Sequence, residues 1–240
     1  MPRTEQKPTA KHLRRAYELM INAHGHQHWW PGDTPFEICV GAILTQNTAW
    51  TNVEKAITRL KRARVLTARK MYALPVDELA ELIRPAGYFN IKAGRLRCFL
   101  ATLLDDFGGS LKKLFSGKTP IVRDRLLAIK GIGPETADSM LLYAGEHHSF
   151  VIDAYTKRIF QRHDWWTGSG QQGQAKTQTR EEYNSLQDLC ENSLSQKTGA
   201  AELEYWQDYH AQLVVLGKDF CKTKNPLCDV CPLKSLLPKP

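Results

Sequence analysis

The sequence has 240 residues, of which 42% are hydrophobic and 24% charged, and these are ordinary values for a globular protein. A chain of this length can bury one sizeable hydrophobic core or two small ones. Its net charge of +8 favours a polyanionic partner and salt-sensitive binding, although a merely basic soluble protein would have the same charge. No apolar run approaches the roughly 20 residues that span a bilayer, and the N-terminal residues lack the apolar core of a signal peptide, so we expect a cytoplasmic protein without a membrane partner.

Apolar residues recur at helical spacing along most of the chain. Such stripes cover 13–21, 36–44 and 53–60, and further helices are predicted over 76–84, 91–106, 134–144, 154–162, 179–193 and 203–217. No sustained alternation of apolar and polar residues occurs, and the segment 149–152 is too short to build a sheet. Residues 165–174 are rich in Gly, Gln and Ser and predict a loop. The sequence therefore predicts an all-α fold.

A Gly-x-Gly turn, Gly131-Ile132-Gly133, precedes a helix that starts with Pro134. Both glycines are expected to allow the positive φ angles of a tight hairpin, and Pro134 suits the first helical position. The first turn of a helix has unpaired N–H groups and the positive end of the helix dipole, so it attracts an anion. A carboxylate, Asp153, follows one helix later. This pairing suggests an enzyme that binds the backbone of a nucleic acid and uses a carboxylate for catalysis next to it.

The six cysteines fall into two groups. Three are scattered in apolar or helical contexts and are expected to pack as small buried residues: Cys39, Cys98 and Cys190. The other three cluster near the C-terminal end: Cys221, Cys228 and Cys231. In a cytosolic protein such a cluster indicates metal binding before a disulfide.

Four segments of the sequence carry a family resemblance. They are Leu44-Thr45-Gln46-Asn47-Thr48, Gly87-Tyr88-Phe89-Asn90-Ile91-Lys92-Ala93, the Gly131-Ile132-Gly133 turn and Val151-Ile152-Asp153. Their order and spacing resemble the helix-hairpin-helix DNA glycosylases of the endonuclease III superfamily, over roughly residues 15–235. The resemblance implies two helical lobes with a DNA groove between them: a six-helix lobe over 33–138 that contains the hairpin, and a second lobe over 1–32 plus 139–240. It also implies a monomer at the nucleoid that binds double-stranded DNA and flips a damaged base out of the stack.

The resemblance assigns the chemistry to Asp153. At that position the family carboxylate stabilises the oxocarbenium-like sugar and orients or deprotonates the attacking water. The alternative for Asp153 is a helix N-cap for 154–162. Bifunctional members carry a lysine two residues after the second hairpin glycine, where this chain has Glu135. Because a carboxylate cannot form an imine, we expect little or no lyase activity.

The resemblance also assigns residues to DNA binding. Gln46 and Tyr88 match the positions that fill the gap left by the flipped nucleotide and wedge the duplex, although ordinary aromatic packing is the alternative for Tyr88. The remaining members of the expected DNA-binding set are Asn90, Gly131, Gly133 and Thr136. Lys92 and Arg95 are further candidates for backbone contacts, although surface lysines and arginines are usually only solvated.

The expected leaving group is an alkylated purine. Adenine-mismatch glycosylases place a general-acid glutamate where this chain has Gly41, so the base must depart without much protonation. Methylation at N3 or N7 gives the base a positive charge and weakens its glycosidic bond, and aromatic faces attract such a cation. Two segments, Trp29-Trp30-Pro31 and Glu135-Thr136-Ala137, together with Trp50, resemble the 3-methyladenine DNA glycosylase III branch, although that branch typically has Phe at the last position.

In that branch the matching aromatics sandwich the flipped base, and the glutamate at Glu135 borders the pocket. A lysine associated with the same pocket matches Lys218. For the tryptophans the alternative is core anchoring.

Endonuclease III relatives bind a [4Fe–4S] cluster through Cys-x6-Cys-x2-Cys-x5-Cys. This chain keeps the first three positions and has Leu237 at the fourth. Clusters normally use four thiolates, and a zinc site would equally lack its fourth ligand. We expect a cluster with an incomplete ligand set at Cys221, Cys228 and Cys231; the alternative is a loop that packs without metal.

These observations predict a monofunctional DNA glycosylase of base excision repair, acting on an alkylated purine of the 3-methyladenine type. One alternative is a pyrimidine or mismatch glycosylase of the same fold. An alternative of another class is a non-catalytic helix-hairpin-helix DNA-binding protein.

Overall fold

The computed structural model describes residues 10–28, 32–166, 179–194 and 200–238, so most of the predicted 165–174 loop lies outside it. Across these ranges all regular structure is helical and no strand occurs, which confirms the all-α prediction. The α-helices are α1 Ala10–His24, α2 Pro35–Leu44, α3 Trp50–Arg62, α4 Ala68–Ala73, α5 Val76–Leu82, α6 Phe89–Asp105, α7 Leu111–Leu114, α8 Thr119–Leu127, α9 Pro134–Tyr143, α10 Ala154–Arg162, α11 Arg180–Leu194 and α12 Ala200–Asp219. Short 3₁₀ turns occur at Arg84–Ala86, Cys228–Val230 and Lys234–Leu236.

The chain divides into two compact units. The continuous unit is Trp30–Ser149, and the split unit combines Met1–Trp29 with Phe150–Pro240. Among the described helices of both units, none is long and apolar enough to cross a membrane.

The core of the continuous unit is built around α2, α6 and α9. Helix α2 packs against α9 and α6, while α6 also packs against α4 and α5. Seven of the ten residues of α2 are buried, because its sequence PFEICVGAIL is apolar apart from Glu37. Its start is fixed by Thr34, whose hydroxyl accepts a hydrogen bond from the Glu37 amide at 3.2 Å. These contacts give the hairpin before α9 a rigid base.

A buried lysine joins three segments of the continuous unit. The Lys92 ammonium donates to the Leu44 carbonyl at 2.8 Å, the Ala86 carbonyl at 2.7 Å and the Thr48 hydroxyl at 2.5 Å. Burial, and then the nearby charge of Arg95, lower the pKa of Lys92 to about 8. Lys92 is therefore a structural residue, and its expected role at the DNA backbone is wrong because its side chain is enclosed by protein.

The split unit joins elements from the two ends of the sequence. Helix α1 packs against α11 and α12, and α10 packs against α12. The Tyr17 hydroxyl donates to the buried Asp208 carboxylate at 2.8 Å, and the Tyr209 hydroxyl donates to the Leu13 carbonyl at 2.9 Å. These bonds satisfy polar groups that burial would otherwise leave unpaired, so α1 is fixed to α12 in a definite register.

Candidate active site and DNA-binding hairpin

The two hairpin glycines serve different needs. Gly131 has φ +93°, and a Cβ there would lie 2.4 Å from Cγ of Arg95. Gly133 has φ −97° and ψ 179° and is the N-cap of α9, so the expectation of positive φ at Gly133 is wrong. N-cap residues take extended backbone angles, which any residue can adopt. No atom lies within 4 Å of a Cβ built at Gly133. The fold thus requires glycine at position 131 but not at position 133.

Gln46 supports the hairpin from the α2–α3 connection. Its side-chain amide donates to the Gly131 carbonyl at 3.1 Å and to the Thr136 hydroxyl at 2.9 Å. Its carbonyl oxygen accepts a hydrogen bond from the Arg95 guanidinium. Thr136 is buried beneath the first turn of α9. The structure therefore brings Gln46 and Thr136 together with the hairpin as a hydrogen-bonded support.

Tyr88 and Asn90 lie at the start of α6. Tyr88 is the N-cap, with φ 45° and ψ 33°, and 67% of its surface is exposed. Asn90, the second residue of α6, is also exposed. A left-handed conformation is costly for an aromatic residue, and burial of the ring does not compensate for it here. Tyr88 is thus an aromatic ring presented to solvent rather than a member of the core.

Asp153 is the N-cap of α10. Its Oδ1 accepts a hydrogen bond from the Thr156 amide at 2.7 Å, and its Oδ2 lies 3.7 Å from Nε2 of His210 on α12. Only 13% of the Asp153 side chain is exposed, and His210 is almost fully buried. Burial raises the pKa of Asp153, but the nearby His210 imidazole and the Thr156 amide outweigh it, so the pKa lies below its ordinary value. Asp153 is held as a carboxylate.

Helix α11 fixes the backbone that leads to Asp153. A carboxylate oxygen of Glu191 accepts a hydrogen bond from the Phe150 amide at 2.8 Å, and the side chain of Gln187 donates to the Phe150 carbonyl at 2.8 Å. The Tyr183 hydroxyl accepts from the Ile152 amide at 3.2 Å. Side chains therefore satisfy the backbone groups that a sheet would otherwise pair.

Close packing of α12 fixes the helix that follows Asp153. A Cβ at Gly217 would lie 2.5 Å from Cδ1 and 2.6 Å from Cβ of Tyr155. The absence of a side chain at Gly217 lets α10 and α12 approach closely at this point.

The expected base-pocket residues occupy varied places. Trp29, Trp30 and Pro31 lie outside the described residues. Trp50 begins α3, packs in part against the core of the continuous unit and donates from Nε1 to Glu54 at 2.9 Å. Two further pocket candidates are exposed, in the first turn of α9 and near the end of α12 respectively: Glu135 and Lys218.

The three clustered cysteines line one cavity at the end of the split unit. The other lining residues are Arg162, His163, Phe220 and Leu237. The space not filled by atoms is about 230 Å³, part of it open to solvent. No three His, Cys, Asp or Glu side chains in the described ranges form a group that could hold a metal ion.

Two histidines at these sites were not predicted from the sequence. His210 faces Asp153, and His163 lines the cysteine cavity. Both lie far along the chain from the groups they face, so no spacing motif could reveal them. The helical pattern over 154–162 does place His163 one position beyond a predicted helix end.

A comparison with family models matches residues 40–186 to the HhH-GPD superfamily of base excision DNA repair proteins. A putative DNA repair glycosylase of Methanocaldococcus jannaschii is 41% identical over 223 residues, covering 92% of this chain and 94% of that protein. Endonuclease III of Thermotoga maritima is 27% identical over 202 residues, covering 84% of this chain and 81% of that protein.

Solved structures resemble the chain over nearly its full length. A non-covalent endonuclease III–DNA complex has a TM-score of 0.76 at 22% identity, covering 96% of this chain and 95% of that chain. The 3-methyladenine DNA glycosylase of H. pylori bound to 1,N6-ethenoadenine has a TM-score of 0.66 at 28% identity, covering 87% of this chain and 95% of that chain. The first likeness shows a shared fold.

Proposed function

Because the chain belongs to the HhH-GPD superfamily of base excision DNA repair proteins, we propose that it is a monofunctional DNA glycosylase releasing an alkylated purine of the 3-methyladenine type. Membership makes it a DNA glycosylase of base excision repair. The alkylated substrate and the absence of a lyase step are our proposal. The observation that supports a glycosylase reaction is the state of Asp153. Its side chain is 13% exposed, and Thr156 and His210 keep its carboxylate ionised.

The proposed reaction is hydrolysis of the N-glycosidic bond. The bond between C1′ and the base nitrogen breaks, its electron pair leaves with the base, and the sugar gains positive charge. The negative charge of Asp153 stabilises that sugar, because a fixed charge in a largely water-excluded site needs no reorganisation. Water then attacks C1′, and Asp153 orients it and receives its proton.

The lyase step lacks its nucleophile. Glu135 stands two residues after Gly133, in the exposed first turn of α9, and its carboxylate cannot form an imine with the sugar. Attack by water therefore leaves an abasic site with an intact strand.

Two observations support an alkylated purine. Gly41 stands where the mismatch enzymes carry their general acid and is buried within α2, so no side chain protonates the base from there. A base that is already cationic needs no such acid. The 28% identical neighbour from H. pylori is itself a 3-methyladenine DNA glycosylase. We propose that the flipped base contacts the residues that the resemblance assigns to it: Trp29, Trp30, Pro31, Trp50, Glu135 and Lys218.

We propose that the hairpin binds a phosphate of double-stranded DNA. Amides in the first turn of α9 point toward the open space over Gly133, where a Cβ would meet no protein atom. The exposed ring of Tyr88 fits a wedge that enters the duplex. Gln46 would have to exchange its hairpin bonds for DNA contacts to fill the gap left by the flipped base.

The family also implies a [4Fe–4S] cluster, and we propose the cysteine cavity as its site. Cys221, Cys228 and Cys231 supply three sulfur ligands around one space. The Arg162 guanidinium donates a hydrogen bond to Sγ of Cys221 at 2.9 Å. Such a cluster would order the segment after α12 and takes no part in bond cleavage.

Base release from defined duplexes tests the proposal. With methylated DNA, we expect free 3-methyladenine and strand breaks only after alkali. Breaks without alkali would show that another nucleophile replaces the missing lysine. Release of the base from an oxidised-pyrimidine duplex instead would favour the endonuclease III-like alternative.

Asp153→Asn separates the enzyme from a mere DNA-binding module. We expect the loss of base release with damaged-DNA binding nearly intact. Retention of both would refute the role of Asp153.

A further inference from the structure

The wall of the cysteine cavity contains a histidine that the sequence pattern does not reveal. His163 is the C-cap of α10, and only 5% of it is exposed. Its Nδ1 lies 2.9 Å from the Ile159 carbonyl, an acceptor, so Nδ1 carries the hydrogen. The neutral ring then has its lone pair on Nε2.

Nε2 of His163 is buried and makes no hydrogen bond of ordinary geometry in the described structure, although the Leu233 backbone lies close to the ring. A buried acceptor without a donor costs free energy of order 1–3 kcal/mol. Metal-bound histidines typically donate their other ring N–H to a backbone carbonyl, as His163 does to Ile159. A metal on Nε2 would satisfy the atom that protein leaves unsatisfied.

The position of the missing cysteine lines the same cavity. Leu237 stands there with the three cysteines and His163. Leucine cannot ligate iron, so the fourth ligand has to come from another element. His163 is the lining residue with an uncommitted lone pair, whereas Arg162 donates its protons to Cys221 and to the Lys222 carbonyl.

The spacing of the ligands distinguishes a cluster from a single ion. A tetrahedral zinc ion holds sulfur at about 2.3 Å and nitrogen at about 2.0 Å, so its ligands converge closely. No group of three side chains in the described residues converges in that way. The four candidates line one shared space that is partly open to solvent. Ligands distributed around one space suit a multi-iron cluster with one ligand on each iron.

We propose that Nε2 of His163 is the fourth ligand of a [4Fe–4S] cluster whose other ligands are Cys221, Cys228 and Cys231. On assembly the three thiols lose their protons and the neutral imidazole donates its lone pair. The ligand set therefore carries one negative charge fewer than four thiolates. Replacing thiolate by imidazole raises the reduction potential of a cluster, so this one should be easier to reduce than its four-cysteine counterpart. The inference rests on the cluster proposed above, and not on the glycosylase reaction.

Spectroscopy of the reconstituted full chain tests the ligand directly. We expect the reduced wild-type cluster to show hyperfine coupling to a strongly bound histidine nitrogen, seen with ¹⁵N-histidine labelling. His163→Cys should keep four irons per chain, lose that coupling and become harder to reduce. A wild-type cluster without nitrogen coupling would overturn the assignment.

Metal content provides a second measurement. His163→Ala should lose the visible absorption of the four-iron cluster or retain only three irons. Adding Leu237→Cys to it should restore four irons, which shows that the first variant still folds. His24→Ala is the matched control, because the His24 ring stacks on Phe220 with centroids 5.7 Å apart but does not line the cavity. It should keep the full cluster.

The outcomes separate the two proposals. Four irons in His163→Ala would refute the ligand and leave the cluster standing. Wild-type protein that takes up no iron and sulfide would refute the cluster itself. Neither result depends on base release.

Discussion

Asp153 caps a helix with one carboxylate oxygen and presents the other toward His210. The two tasks can be separated by substitution. Asparagine retains an oxygen that accepts from the Thr156 amide but loses the charge, whereas alanine loses both.

We therefore predict that Asp153→Asn and Asp153→Ala both lower base release by about 1000-fold or more, because both remove the charge that stabilises the sugar. Asp153→Ala should in addition lose about 1 kcal/mol of unfolding free energy through the missing cap, beyond the loss of the charge that both variants share. Single-turnover kinetics and urea denaturation measure the two quantities. Equal stability losses in the two variants would contradict the capping role.

His210 controls the protonation of Asp153. Since the pKa of Asp153 lies below its ordinary value, the ionised carboxylate stabilises the fold above about pH 4, and that contribution is lost as the pH falls through the native pKa.

Removal of the His210 charge should raise the pKa of Asp153, so the acid limb of base release should move to higher pH. We expect a small move for His210→Gln, which keeps a donor, and a larger one for His210→Phe, which keeps none. The pH–rate profile of single turnovers measures this shift. An unmoved acid limb in both variants would show that His210 only fills space.

Among the secondary-structure elements, most helices were predictable from the sequence. The apolar pattern predicted helices over 134–144 and 154–162, and the structure has α9 at Pro134–Tyr143 and α10 at Ala154–Arg162. The apolar pattern did not predict α4, α7 and α8; of these, α4 and α7 have only six and four residues, too few turns to show a period. The short segment before Asp153 is extended but pairs with side chains of α11, which no local pattern encodes.

The hairpin shows the same limit within one motif. The Gly-x-Gly pattern located the turn but could not show that the two glycines differ. Gly131 is needed by the backbone and by Arg95, whereas Gly133 faces open space. The first fact depends on α6, which packs against the hairpin from elsewhere in the chain.

We predict different effects for alanine substitutions at the two hairpin glycines. Gly131→Ala should lower the unfolding free energy by about 1–3 kcal/mol, because it combines positive φ with a clash against Arg95. Gly133→Ala should keep wild-type stability but weaken duplex binding, because its methyl group occupies the space of the proposed phosphate. Thermal melts and fluorescence anisotropy with a DNA duplex check both. Full duplex affinity in Gly133→Ala would refute the phosphate site.

At the level of the whole molecule, the net charge of +8 is matched by the negative charge of DNA. A protein that neutralises phosphates releases counterions, so its affinity falls linearly with salt on logarithmic axes. If about four phosphates are neutralised, the dissociation constant should rise on the order of 100-fold between about 50 and about 200 mM salt. Titrations of an undamaged duplex at several salt concentrations measure the slope. A slope near zero would mean that the basic charge serves no DNA contact.

The bonds between α1 and α12 have a consequence for the order in which the protein forms during translation. The continuous unit is finished once Ser149 has left the ribosome and can fold at that stage. Helix α1 is made earlier, but its partners α11 and α12 begin roughly 155 and 175 residues later, about 10–35 s at ordinary rates of synthesis. Through that interval Leu13, Ala16 and Met20, all buried in the finished protein, have nothing to cover them. The newly made α1 is thus the segment that a chaperone can bind for the longest time during synthesis.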